Sequence, residues 1–234
     1  MRWLGSVSAK DLGVLYIITG FCMGFIGIAF SFIIRLELSG PGDRLISGGW
    51  GGDIYNNIIT SHGLIIIFYA IMPILIGGFG NYFMPLQIGA PEISFPRING
   101  FSLWLLLPSA VLYLYATVVG RGIGQGWTLY YPLTSNWASS GINIDLTIFA
   151  FHLAGISSLL GAINMITTIY NMRCNGLYWG IIPLFTWAIL ITAILLLLSL
   201  PVFTVAITLM LLDRNINSSF YEASSGGDPL LYIT

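Results

Sequence analysis

Residues 181–212 read IIPLFTWAILITAILLLLSLPVFTVAITLMLL, an unbroken run without a charged residue. Crossing a hydrocarbon core of about 30 Å takes about 20 apolar residues at about 1.5 Å each, so this run is long enough for a membrane-spanning helix. Four more uncharged runs lie upstream, at roughly 12–34, 58–86, 101–119 and 146–172. Apart from Arg35, which closes the first run, every charge falls in the tails or the connections. The connections (SGPGDRLISGGWGGD, GAPEISFPRING, GRGIGQGW) are rich in Gly, Pro, Ser and Asn, the composition of turns rather than helix. The expected fold is an all-α membrane protein, five transmembrane helices in one domain over residues 1–234.

Composition excludes the alternatives to a membrane protein. Of 234 residues 56% are hydrophobic and 7% are charged, against about 25% charged in soluble domains. The surface must therefore face lipid. A formal net charge of -1, with 8 Lys and Arg scattered singly, leaves no basic patch for phosphates, so no nucleic acid partner is expected. Cys22 and Cys174 offer neither a spaced metal pair nor a disulfide framework. The N-terminal stretch MRWLGSVSAKDLGVLYIITG has no compact apolar core with a cleavage site. A chain this apolar is then expected to be inserted where it is made, in a bacterial membrane or from an organelle's own ribosomes. Charge does not orient it, because Arg2, Lys10, Arg97 and Arg173 on the N-terminal side balance Arg35, Arg44, Arg121 and Arg214 on the other. The acidic residues, with Asp11 and Glu92 on the N-terminal side and the rest opposite, lean towards an inside N-terminus.

Several polar residues inside the runs are candidates for chemistry. In the first run Gly20, Gly24, Gly27, Ser31 and Arg35 form one stripe at about 100° per residue. Such a stripe is either a seam for close helix packing or a groove for a flat cofactor whose polar substituent meets Arg35. His62 lies inside the second apolar run and is followed by Gly63. It reads equally as a histidine bonded to a neighbouring helix and as a metal ligand, since neutral imidazole is a normal axial ligand of haem iron. In the fourth run Ser157, Gly161, Asn164 and Thr168 share a narrow face, which serves interhelical hydrogen bonds or a water path. His152, near the interface, suits a structural hydrogen bond. Glu92, between two prolines in GAPEISFPR and beside Asn81 and Asn99, is either a solvated loop carboxylate or the mouth of a proton path.

The stretches MPILIGGFGNYFMPLQIGAPEISFPRIN, GWTLYYPL, DLTIFAFHLAGISSLLGAINMITTIYNM, ITAILLLLSLPV and LLDRNINSSFYEASSGGDPLLY resemble subunit I of the mitochondrial-type haem-copper oxygen reductases, the cytochrome c oxidases. The resemblance runs from about Trp3 to the last residues, in order and without large gaps. It implies the first five helices of a twelve-helix subunit that holds a low-spin haem a, a high-spin haem a3 and a copper ion, and reduces oxygen while pumping protons. By that resemblance His62, in TSHGLIIIF, is an axial ligand of haem a, Arg35 contacts the haem a formyl group, and Tyr55 and Trp127 hydrogen-bond haem propionates. Glu37 and Gly42, in RLELSGPG, match a peripheral sodium or calcium site. Asn81, Glu92, Asn99, Ser157, Ser158 and Asn164 match the proton path named for the aspartate at its entrance.

Two departures follow. The entrance position holds Glu92 where the family usually has Asp, which keeps the charge and lengthens the reach. The resemblance also stops near the family's sixth helix, so the copper histidines, the haem a3 ligand and the second haem a ligand fall outside the chain. With His62 and His152 as its only histidines, the chain cannot build a three-histidine copper site. The expectation is the N-terminal part of a split catalytic subunit. A second polypeptide would complete it, with partners that include subunits II and III and, through the complex, cytochrome c. The setting would be the mitochondrial inner membrane, among lipid, ahead of a bacterial plasma membrane. The rival readings are a transporter or channel, with its pathway along the fourth helix, and a non-catalytic assembly fragment.

Overall fold

The computed structural model describes residues 3, 5–42, 44–46 and 51–233. Arg2 and Asp43, both in the charge tally above, lie outside the described residues. The described residues form helices joined by turns and loops, with no strand among them. Five helices are long and apolar enough to cross a membrane: α1 (Ala9–Glu37), α2 (Gly51–Ile88), α3 (Pro96–Val118), α4 (Ile142–Asn171) and α5 (Leu184–Asn215). A short helix, α6 (Leu230–Ile233), follows. Only 17% of the most apolar window of α1 and 22% of that of α5 is buried, so their apolar residues largely face outward, as a lipid environment demands.

The helices outrun the uncharged stretches because charges occupy their terminal turns. Asp11 lies in the first turn of α1 and Arg35 in its last, Asp53 in the first turn of α2, Asp145 in the first of α4 and Arg214 in the last of α5. Each sits at the helix end where the macrodipole favours its sign. The largest extension is in α2, where GGDIYNN adds a polar opening ahead of the apolar run. α3 starts on Pro96, whose missing N–H costs nothing in a first turn. α5 begins later than the run suggests, because Trp179–Ile181 form a separate 3-10 turn and Pro183 lies just before the helix.

Within α2, Ile65–Ile71 and Pro73–Gly80 wind as π-helix. Pro73 cannot supply the N–H of an α-helical ladder, and local π adjustments in a membrane helix re-satisfy the backbone groups that a proline frees. Gly77 and Gly78 then let the helix lie close to α1. A β-carbon at Gly77 would stand 2.5 Å from Tyr16 Cδ1, and one at Gly78 2.5 Å from Ile17 Cγ1. Gly89, at φ 72, ends α2 in the left-handed conformation that glycine favours.

The contacts divide the chain into two compact units, each taking a portion of all five helices. The first comprises Met1–Gly24, Ile67–Pro108 and Leu153–Pro201, with a core that includes Met84, Ile88, Met165, Ile169 and Leu190. The second comprises Phe25–Ile66, Ser109–His152 and Val202–Thr234, and buries Leu64, Tyr113, Ile148, Phe151, Met210 and Tyr221.

Candidate functional site: a histidine at a glycine carbonyl and a polar cavity

His62 lies in the second unit, half-buried, with Nδ1 2.8 Å from the carbonyl oxygen of Gly27 on α1. A carbonyl can only accept, so Nδ1 carries a proton, and in the neutral ring Nε2 keeps its lone pair. Metal-bound imidazoles are oriented in this way by their other nitrogen. The glycine stripe makes the contact possible. A β-carbon at Gly27 would stand 2.6 Å from Ile66 Cδ1, and in the first unit one at Gly20 would stand 2.5 Å from Ile74 Cγ1. These glycines form a packing seam against α2. Arg35 is exposed in the last turn of α1 and Tyr55 is half-buried early in α2, both in the same unit as His62.

The loop after α3 is fastened beside His62. The Gly126 N–H donates to Thr60 Oγ1 at 3.1 Å, and a β-carbon on Gly63 would lie 3.6 Å from Trp127 Cβ. Trp127 is thus set against the residue after His62 and is 58% exposed. Asn57, which the sequence reading passed over, holds the start of this loop. Its Oδ1 accepts the Ile123 N–H at 2.8 Å and its Nδ2 donates to the Thr117 carbonyl at 2.9 Å.

This donor set fits a haem iron: an imidazole held at Nδ1 by a carbonyl, in a unit that also exposes apolar residues such as Ile28, Phe32 and Ile59. His152 is placed differently, with Nδ1 2.7 Å from the Ile148 carbonyl and Nε2 2.8 Å from Thr208 Oγ1, so both ring nitrogens are engaged. Among the described residues no three His, Cys, Asp or Glu side chains come together as a metal site. The Glu37 carboxylate accepts N–H groups from Arg44 at 3.1 Å, Leu45 at 2.8 Å and Ile46 at 3.2 Å, and Gly42 in that turn has φ 79. Calcium takes six to eight oxygens, of which this carboxylate could supply at most two.

In the first unit Asn81, Asn99, Ser157 and Ser158 line one cavity of about 40 Å³. Asn81 Nδ2 donates to Asn99 Oδ1 at 3.1 Å, while Asn81 Oδ1 and Asn99 Nδ2 are buried without a partner. A polar space of this size has room for ordered water, which needs about 10–15 Å³. Tyr16 and Ser102, both missed in the sequence reading, also line it. The Tyr16 hydroxyl lies 2.9 Å from Ser102 Oγ, which in turn donates to the Ser157 carbonyl at 2.7 Å.

The other two residues expected on that path, Asn164 and Glu92, are bonded elsewhere. Asn164 spends both ends of its amide on the Phe95 backbone, accepting its N–H at 3.0 Å and donating to its carbonyl at 3.1 Å. Thr168 accepts the Ser94 N–H at 2.9 Å. The polar face of α4 thus divides into cavity lining at Ser157 and Gly161 and a backbone clamp at Asn164 and Thr168. Glu92, half-buried, accepts the Ala9 N–H at 2.9 Å and the Ser8 hydroxyl at 3.2 Å, at the start of α1.

A further cluster, unread in the sequence, knots the second unit. Arg214 is almost wholly buried. Its Nε donates to Asp145 Oδ1 at 2.7 Å, and its terminal nitrogens donate to the carbonyls of Thr134, Ser139 and Gly141. Asp213 accepts the Phe220 N–H at 3.0 Å and the Tyr221 N–H at 2.8 Å. The Tyr131 hydroxyl donates to Glu222 at 2.9 Å, and burial, with that carboxylate, raises its pKa well above the ordinary tyrosine value. Burial, with Tyr221 nearby, pushes Tyr232 up to about 12.

Comparison with known proteins agrees with this architecture. Residues 11–234 match the family model described as cytochrome c and quinol oxidase polypeptide I. The chain is 51% identical over 231 residues to cytochrome c oxidase subunit 1 of Eremothecium gossypii and 52% identical over 231 residues to that of Candida albicans. It is 50% identical over 231 residues to the same subunit of Yarrowia lipolytica. Each match covers 99% of this chain and 43% of the relative, so the chain spans less than half the length of the relatives it matches. Five apolar helices in order and a match over nearly their whole length place the chain in the cytochrome c and quinol oxidase polypeptide I family.

Proposed function

We propose that this chain supplies one side of the haem a pocket and the proton-uptake path of a cytochrome c oxidase. It works there with the sequence that its relatives carry beyond the matched stretch, with the other oxidase subunits including II and III, and with cytochrome c as electron donor. The mitochondrial inner membrane is its setting. The observation that carries the reading is the hydrogen bond from His62 Nδ1 to Gly27, which leaves Nε2 for iron. When bound, haem a supplies one-electron transfer. His62 would hold its iron, Trp127 and Tyr55 would meet its propionates, and Arg35 would meet its formyl group. The remaining haem a ligand and the ligands of haem a3 and copper would come from the sequence that the relatives carry beyond the matched stretch.

Protons are taken up through the first unit. Glu92 receives them at the start of α1, and the Asn81, Asn99, Ser102 and Ser157 cavity carries them inward on ordered water. The orphaned Asn81 Oδ1 and Asn99 Nδ2 support this assignment, since each calls for a partner that water can provide. Visible spectroscopy of the assembled complex tests the haem assignment. His62→Ala should remove the low-spin haem a band, and an intact band in an assembled His62→Ala complex would sink it.

A further inference from the structure

Two hollows in the second unit share a wall made of Asp53 and Arg121. One is a cleft of about 670 Å³, walled by Phe30 of α1, Ile54 and Ile58 of α2 and Val118 of α3. The other, of about 490 Å³, is lined by polar groups that include Gln125, Ser139 and Asn143. Both volumes lie within the range of small-molecule sites, about 300–1,000 Å³. Asp53 sits in the first turn of α2 and Arg121 follows the end of α3, so the charged wall lies where spanning helices end and lipid headgroups begin.

We propose that these hollows hold one zwitterionic phospholipid with an ethanolamine headgroup. An acyl chain lies in the apolar cleft and the headgroup in the polar hollow, with its phosphate on Arg121 and its ammonium on Asp53. The charges argue for this ligand. Arg121 Nη1 and Asp53 Oδ2 are 3.8 Å apart, with side chains 68% and 51% exposed, a loose pair that contributes little by itself and opens readily around a ligand carrying both signs. An anionic lipid would meet the Asp53 carboxylate unpaired. A choline headgroup has no N–H to donate, whereas an ethanolamine ammonium has three. Gln125 adds a further acceptor, since its Oε1 is buried with no donor.

The backbone fixes where Arg121 stands. Gly120 and Gly122, at φ 62 and 69, bracket it in left-handed turns, and a β-carbon on Gly122 would collide with the Asn57 amide. That amide binds the Ile123 N–H and the Thr117 carbonyl, so the turn bearing Arg121 is fixed to α2, the helix that bears Asp53. The backbone positions of the two residues are therefore held from both sides, while their exposed side chains can part around a ligand.

Native mass spectrometry of the purified oxidase complex, stripped of lipid and then offered short-chain phosphatidylethanolamine, phosphatidylcholine or phosphatidylglycerol, tests the proposal. The complex should take up one phosphatidylethanolamine with an affinity about tenfold above that for phosphatidylglycerol. Asp53→Asn should abolish the preference, and Ile54→Trp, which fills the cleft, should abolish uptake, both with the haem a band intact. Equal uptake of the three lipids, uptake undiminished in Ile54→Trp, or a quinone or protein segment found in the cleft would overturn it. The lipid competition on the unsubstituted complex decides the matter even where a variant fails to assemble. Its readout is lipid mass, so a failed haem assignment leaves it standing.

Discussion

The Glu92 carboxylate accepts the backbone N–H of Ala9, the first residue of α1, at 2.9 Å. A carboxylate there satisfies an orphan N–H and meets the positive end of the helix dipole. The same group is the proposed entrance for protons, so it carries both tasks. Glu92→Gln should slow turnover and proton uptake while amide exchange at Ala9 stays protected, because the amide oxygen still accepts. Glu92→Ala should lose that protection too, at a cost of about 1 kcal/mol. Equal turnover in Glu92→Gln and the unsubstituted complex would move proton uptake elsewhere.

Gly27→Ala should disturb two things at once. Its β-carbon would press on Ile66 Cδ1 at 2.6 Å, so the Ile66 side chain must turn away or α1 must shift, at a typical overpacking cost of about 1–3 kcal/mol. A shift of α1 would carry away the carbonyl that orients His62. The expected readouts are a lower melting temperature of the complex and a broadened or displaced haem a band.

Asn99→Leu removes the acceptor for Asn81 Nδ2 and puts an apolar side chain into the cavity. Burying that donor unpaired costs about 1–3 kcal/mol. Proton uptake measured in single turnovers should slow, with the haem a spectrum unchanged.

Arg214→Met should be among the most destabilising substitutions in the chain. It leaves the Asp145 carboxylate and three carbonyls without their donor, and breaking a buried pair from one side costs about 3–5 kcal/mol. Thermal unfolding of the assembled complex measures it.

Tyr131 and Tyr232 bind their protons more tightly folded than unfolded. Their contribution to stability is therefore complete below the ordinary tyrosine pKa of about 10 and is lost as pH rises above it. For Tyr232 the loss runs through its folded value of about 12. Ultraviolet titration should show ordinary tyrosines ionising first and these two later, and Tyr131→Phe should remove one of the late transitions.

The five spans are legible in the sequence because about 20 apolar residues in a row have few other uses. Their ends are harder to read. Asp53, Asn56 and Asn57 look like loop residues by type, yet they form the opening turns of α2, because polar side chains suit a helix where it leaves the hydrocarbon. The π winding around Pro73 depends on how α2 packs, and periodicity does not report it. His62 stands out as an ionisable group in an apolar run, but its partner does not, since a backbone carbonyl such as that of Gly27 leaves no mark on composition. Tyr16 and Ser102 escape for a related reason. Nothing in the spacing of either residue names its partner, and only tertiary packing brings them together with Ser157. Asn164 shows the converse, a residue picked for a water path whose amide is taken up by the Phe95 backbone.

Arg214 grips the 134–141 segment by the carbonyls of Thr134, Ser139 and Gly141, and so recognises the course of the chain rather than its side chains. That segment is free to change its letters over evolutionary time as long as it keeps its path. The arginine and its aspartate have no such latitude, because a planar fork of donors has no substitute among the other side chains. Mutational tolerance in this part of the protein should therefore be uneven in an unusual way, with permissive exposed positions a few ångströms from one that admits no replacement.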